Sequence, residues 1–164
     1  MADLSKIKQL KIHKMQAAES ALQKSVDELQ KALRALETAK QEKLAYSIWR
    51  TNQELEIYKQ IDNQILKMKQ LDELRNRIST LYEKESELSQ QVLERETQAS
   101  AAKAYHQKCQ KALREAQKDV EKYEILTTEI SLVAQKEAER QSEDVLDEFS
   151  SYVTEKNRHA DATA

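Results

Sequence analysis

The chain contains no glycine and no proline in 164 residues. At average usage roughly 11 and 8 would be expected. Phosphate-cradling loops, nucleophile elbows and tight hairpin turns need glycine where the backbone takes positive φ or closely approaches a ligand. None can be built here in its usual form. A compact globular domain needs several tight turns, and the usual turn formers are missing. Ala, Glu, Lys, Leu and Arg make up about half the chain, the composition of a long helix or coiled coil. Aromatic residues are 5% and charged residues 34%, too little material for a thick core.

Apolar spacing supports helix and nothing else. Leu22, Val26, Leu29, Leu33 and Leu36 follow steps of four and three, a two-helix seam. Ile12, Met15 and Ala18 extend it backward, and Leu44, Ile48, Leu55, Tyr58, Ile61 and Ile65 carry it forward with gaps. The second half is more regular. Stepping three and four from Leu71 meets Leu74, Ile78, Leu81, Leu88, Val92, Ala99, Ala102, Cys109, Leu113, Ala116, Val120, Tyr123, Thr127 and Ile130, with Glu85, Arg95 and His106 as the clear polar intruders. A sustained seven-residue repeat imposes a left-handed supercoil.

The seam phase slips between Ile61 and Leu71, where Asp62-Asn63 is the best turn-forming pair in mid-chain. Asp72 and Glu73 then suit a helix N-terminus. The expected fold is all-α, a long antiparallel two-helix coiled-coil hairpin. Its helices cover 3–61 and 71–155, its turn 62–70, and residues 156–164 form a disordered tail. The first helix would be roughly 90 Å long. Residue i pairs with about 133 − i, which sets Trp49 near Lys84 and Glu85. Residues 1–70 carry a net charge of +4 and residues 71–164 one of −6, which favours antiparallel pairing within limits set by screening. The second helix overhangs beyond about residue 130. That overhang has an apolar stripe, Val145, Leu146, Phe149, Tyr152 and Val153, and an acidic run, Glu137, Glu139, Glu143, Asp144, Asp147 and Glu148.

Net charge of −2 argues against non-specific nucleic-acid binding. The longest apolar run is three residues, against about 20 for a membrane span. The first 20 residues lack the apolar stretch of a secretory signal. Cys109 is the only cysteine, so no intrachain disulfide forms, and a reducing, cytosolic setting fits. His106 and Cys109 share a helix face but supply two ligands where structural zinc needs four. The glutamates at helical spacing read as solvated faces, with no pocket to perturb them. No catalytic, cofactor or metal site is expected.

Two clusters read as partner surfaces. Tyr46, Trp49 and Arg50 bring together the residue types that dominate binding hot spots, and the only Trp is too large to vanish into a two-helix seam. Lys6, Lys8, Lys11 and Lys14, with His13, form a basic stretch suited to an acidic protein groove. Anionic lipid is a weaker partner for it, because the neighbouring apolar face is small.

The segment Tyr46-Ser-Ile-Trp49-Arg50, with Gln53-Glu54 and the later run Leu71, Leu74, Ile78, Leu81-Tyr-Glu-Lys84-Glu85 and Leu88, resembles the YscO family of type III secretion systems. The signatures Tyr-x-x-Trp-Arg and Leu-x-x-Lys-Glu stand at about the family spacing. The specific part spans Tyr46 to Leu88; the remainder is general coiled coil. The resemblance implies a non-enzymatic, cytoplasmic, FliJ-like stalk shaped like the γ-subunit rod of rotary ATPases. Such a stalk bridges the hexameric export ATPase and the export gate at the inner membrane, and some members bind translocator chaperones. By analogy with the γ-subunit, the end holding both termini, with Lys6 to Lys14, would enter the ATPase, and Tyr46, Trp49 and Arg50 would meet the gate. A self-sufficient hairpin is expected to be a monomer. The alternative is a homodimeric structural or adaptor coiled coil unconnected with secretion.

Overall fold

The computed structural model describes residues 2–62 and 65–163. The fold is all-α and made of two long helices, α1 (Ala2–Ile61) and α2 (Met68–Ala162). Contacts between residues such as Lys11 and Asp119, Ser25 and His106, and Tyr46 and Leu81 pair the helices antiparallel, as a coiled-coil hairpin requires.

Each helix end has a local cause. The last α1 turn closes with Asp62 N–H on the Tyr58 carbonyl at 3.1 Å, and Lys59 sits in that turn where a cation is favourable. α2 begins at Met68, one turn before the position expected from Asp72 and Glu73. Gln70 explains the difference: its Oε1 accepts the Lys67 N–H at 3.2 Å, the reach-back half of a capping box, while Leu71 N–H bonds the Lys67 carbonyl. Asn63 of the expected turn lies outside the described residues. α2 continues through residue 162. Nothing in 156–162 is a helix breaker, so hydrogen bonding propagates to the end.

The chain's contacts form two compact units: Ala17–Leu113, and Met1–Gln16 with Arg114–Ala164. In the first, the buried side chains are small: Ser25, Ala39, Ala99 and Cys109, with Ile57, Leu88 and Val92 as the larger members. The second buries Ala116 and Val120 beside Met15, Ile12 and Tyr123 at its margin. Small seam residues let two backbones approach closely, and the thin core is what a chain poor in aromatics can supply.

The α2 seam keeps the three-four step from Leu71 to Ile130, with Arg95 alone among those positions exposed. The α1 seam differs from the expected one. Leu33, Leu44, Ile48, Leu55, Tyr58 and Ile65 are exposed. The inward positions are Leu22, Ser25, Leu29, Ala32, Leu36, Ala39, Lys43, Tyr46, Arg50, Gln53 and Ile57, an unbroken three-four series. Strict heptad geometry carries the seam straight through polar residues, and the apolar ones one step along fall outside it.

Spin labels at Gln23 and Lys108, both on exposed positions of one unit, should lie within about 25 Å, since packed helix axes are 8–10 Å apart. Pulsed dipolar spectroscopy reads this directly. A separation above about 100 Å, which one continuous helix would give, rejects the hairpin.

Candidate functional site

The cluster around Trp49 forms where α1 presents Tyr46, Ser47, Arg50 and Glu54 to the Leu81–Glu85 turn of α2. Arg50 is its centre. Its Nη1 donates to Glu54 Oε2 at 2.8 Å within the helix, and its Nε faces Glu85 Oε2 across the seam as an ion pair without hydrogen-bond alignment. The guanidinium lies over the Tyr82 ring at 4.6 Å, a cation–π contact. The Tyr82 hydroxyl donates between both Glu54 oxygens at 3.1 and 3.0 Å, and Ser47 Oγ donates to Glu85 Oε1 at 2.8 Å.

Tyr46 completes the lock. Its hydroxyl donates to the Leu81 carbonyl at 3.0 Å, an acceptor already inside a helix. Partial burial pushes its phenol above the ordinary tyrosine value, and the Glu85 charge adds to the rise. The Tyr82 phenol is raised as well, first because its hydrogen bond to Glu54 favours the protonated form.

The Tyr46 hydroxyl is therefore held by a hydrogen bond within the chain, and the Arg50 guanidinium by ion pairs with Glu54 and Glu85. The signature Tyr-x-x-Trp-Arg and the signature Leu-x-x-Lys-Glu meet here, through Arg50–Glu85 and Tyr46–Leu81. Trp49 is the member left facing outward. It is 49% exposed, leans on Tyr46 with ring centroids 5.5 Å apart, and lines a shallow groove with Gln53, Ile57, Asn76, Arg77, Thr80 and Leu81. This groove lies about one turn closer to the helix reversal than the Lys84–Glu85 neighbourhood expected for it. Leu44, Ile48, Leu55 and Tyr58 are exposed too, but at about 100° per residue they lie roughly 100–180° around α1 from Trp49, on a different face. Sequence reading placed them in the seam. The signal that could have moved them outward is the unbroken series Lys43, Tyr46, Arg50, Gln53, Ile57, visible only if polar residues are allowed into a seam.

The basic stretch divides too. Lys11 is half-buried, pairs with Asp119 at 3.4 Å and sits 5.9 Å from the Tyr123 ring centroid. Lys8 lines a groove with Leu4, Ser5, Thr127, Ile130, Ser131 and Ala134. Lys6 and Lys14 are exposed and make no ion pair among the described residues.

His106 is a seam residue. Ser25, fully buried, donates its hydroxyl proton to the Leu22 carbonyl at 2.6 Å, so the 3.2 Å contact with His106 Nδ1 requires the hydrogen to come from the imidazole. Cys109 is buried one turn on, as a small hydrophobe. Among the described residues no group of three or more His, Cys, Asp or Glu is placed to hold a metal, and no helix is long and apolar enough to cross a membrane.

The family model for type III secretion protein YscO matches residues 1–152. The crystal structure of type III secretion protein YscO from Vibrio parahaemolyticus is similar to this fold, with a TM-score of 0.79 at 23% identity, covering 90% of this chain and 91% of that one. No curated protein matches the sequence. A family match over nearly the whole chain, on two antiparallel helices whose two signatures meet at Arg50 and Glu85, gives one conclusion: the chain belongs to the YscO family of type III secretion proteins, the FliJ-like, non-enzymatic stalk components of that apparatus.

Proposed function

We propose that this chain is a central stalk that couples the export ATPase to the cytoplasmic domain of the export gate, working in the cytoplasm at the base of the secretion apparatus. The observation that carries the reading is the family match over residues 1–152. The fold supports it: α1 and α2 pair with each other, which leaves their outer faces available to partners.

The two candidate surfaces lie in different units of the chain, so each can hold its own partner. Lys6 and Lys14, exposed in the unit with both termini, supply the charge toward the ATPase, with Lys8 beside them; Lys11 contributes mainly to holding α1 on α2. Trp49 supplies the aromatic anchor toward the gate, on a platform that Tyr46 and Arg50 fix in place. An anchor held by packed neighbours loses little entropy on binding, which is what makes a hot spot effective. Translocator chaperones are further partners on the same reading.

The test is a titration of the purified chain against the ATPase hexamer and, separately, the gate domain. The double substitution Lys6→Gln/Lys14→Gln should weaken ATPase binding about 5-fold or more, the size of two lost rim charges, and leave gate binding unchanged. A folded chain that binds neither partner rejects the stalk role.

A further inference from the structure

Every residue of α2 from Ser131 to Ala162 is exposed. A helix with no packed face is marginal in water, because most helical stability comes from burying an amphipathic face. This stretch has such a face. Ala138, Ser142, Val145, Phe149 and Tyr152 follow steps of four, three, four and three, with Leu146 and Val153 beside them. Leu146, Val145, Phe149 and Tyr152 are each 63–65% exposed. At about 100° per residue the apolar arc spans roughly 120°, a seam's width.

The charges around that arc have one sign. Glu139 and Glu143 fall along one edge, and Glu137, Asp144 and Glu148 along the other. Between 137 and 148 there are six acids and one base, Arg140. In a coiled coil the positions flanking the seam choose the partner by charge. A second copy of this face would set acid against acid, which costs energy at each pair. Of the chain's own basic stretch, Lys11 pairs with Asp119 and Lys8 lines the groove at Thr127–Ala134.

We propose that residues 138–153 form a docking face for an amphipathic helix with lysine or arginine on both flanks of its apolar stripe, supplied by another protein. The partner helix inserts Leu-sized side chains around Phe149 and Leu146 and places its cations against Glu139, Glu143, Asp144 and Glu148. The inference stands independently of the ATPase and gate assignments.

Three 21-residue peptides test it by calorimetric titration into the full chain near physiological salt. One has Leu at the seam positions and Lys at the flanks, the second Leu with Glu flanks, and the third Ser with Lys flanks. The Leu/Lys peptide should bind at least 10-fold tighter than either other. Leu146→Ser/Phe149→Ser should lose at least 10-fold for it, with circular dichroism showing the rest of the helices intact. Glu143→Lys/Glu148→Lys should make the Glu-flanked peptide the better ligand. Equal affinity for the Leu/Lys and Ser/Lys peptides reduces the face to diffuse charge attraction and overturns the proposal. So does unchanged affinity in Leu146→Ser/Phe149→Ser, or sedimentation equilibrium showing that this face pairs two copies of the chain.

Discussion

Arg50→Ala should destabilise the hairpin by about 2–3 kcal/mol. The Arg50, Glu54 and Glu85 side chains are only 16%, 18% and 23% exposed, so removing the cation leaves two partly desolvated carboxylates without their shared partner. Fully exposed ion pairs are worth about 0–1 kcal/mol and fully buried ones cost about 3–5 when one partner is removed; this cluster falls between. The lost stacking on Tyr82 adds to the effect. In thermal melts followed by circular dichroism, the midpoint should fall by roughly 5–10 °C for a chain of this size. Arg50→Lys should recover only part of the loss, since an ammonium cannot span both carboxylates as the guanidinium does. Adding Glu85→Gln to Arg50→Ala should restore some stability by removing one stranded charge. A midpoint within about 1 °C of the parent in Arg50→Ala would make the cluster an ordinary surface pair.

Trp49→Ala should have the opposite profile. Half of the indole faces solvent and its protein contacts are Tyr46 and the shallow groove toward Arg77 and Leu81. Its loss should cost no more than about 1–2 kcal/mol of stability, a margin contact rather than a core one. Binding to the gate domain should fall roughly 30-fold, about 2 kcal/mol, as for an aromatic anchor. Secretion should fall with it. Paired melts and titrations separate the roles: unfolding with undiminished binding per folded molecule would make Trp49 structural and remove it from the gate surface.

The contrast between the two neighbours in sequence has a physical origin. Position 50 continues the three-four series into the seam, while position 49 is rotated about 100° from it. One residue of register separates a side chain that holds the helices together from one available to a partner.

What the sequence determined by itself was everything local. The absence of glycine and proline excludes tight turns, the three-four apolar spacing specifies helix, and the α2 repeat from Leu71 to Ile130 reads off its inward face because apolar residues occupy most seam positions. The signatures at Tyr46–Arg50 and Leu81–Glu85 were legible as a family resemblance, but their meaning was not. Arg50 meets Glu85 and Tyr82 from 35 and 32 positions away, and only the antiparallel pairing of α1 and α2 brings them together. Tertiary structure also decided which of two stripes in α1 faces inward. Hydrophobicity favours Leu44, Ile48, Leu55 and Tyr58; the structure buries Ile57 and half-buries Tyr46 and Arg50 instead. A charged seam residue is tolerable only when an opposite charge waits on the facing helix, and that compensation cannot be seen from one helix alone.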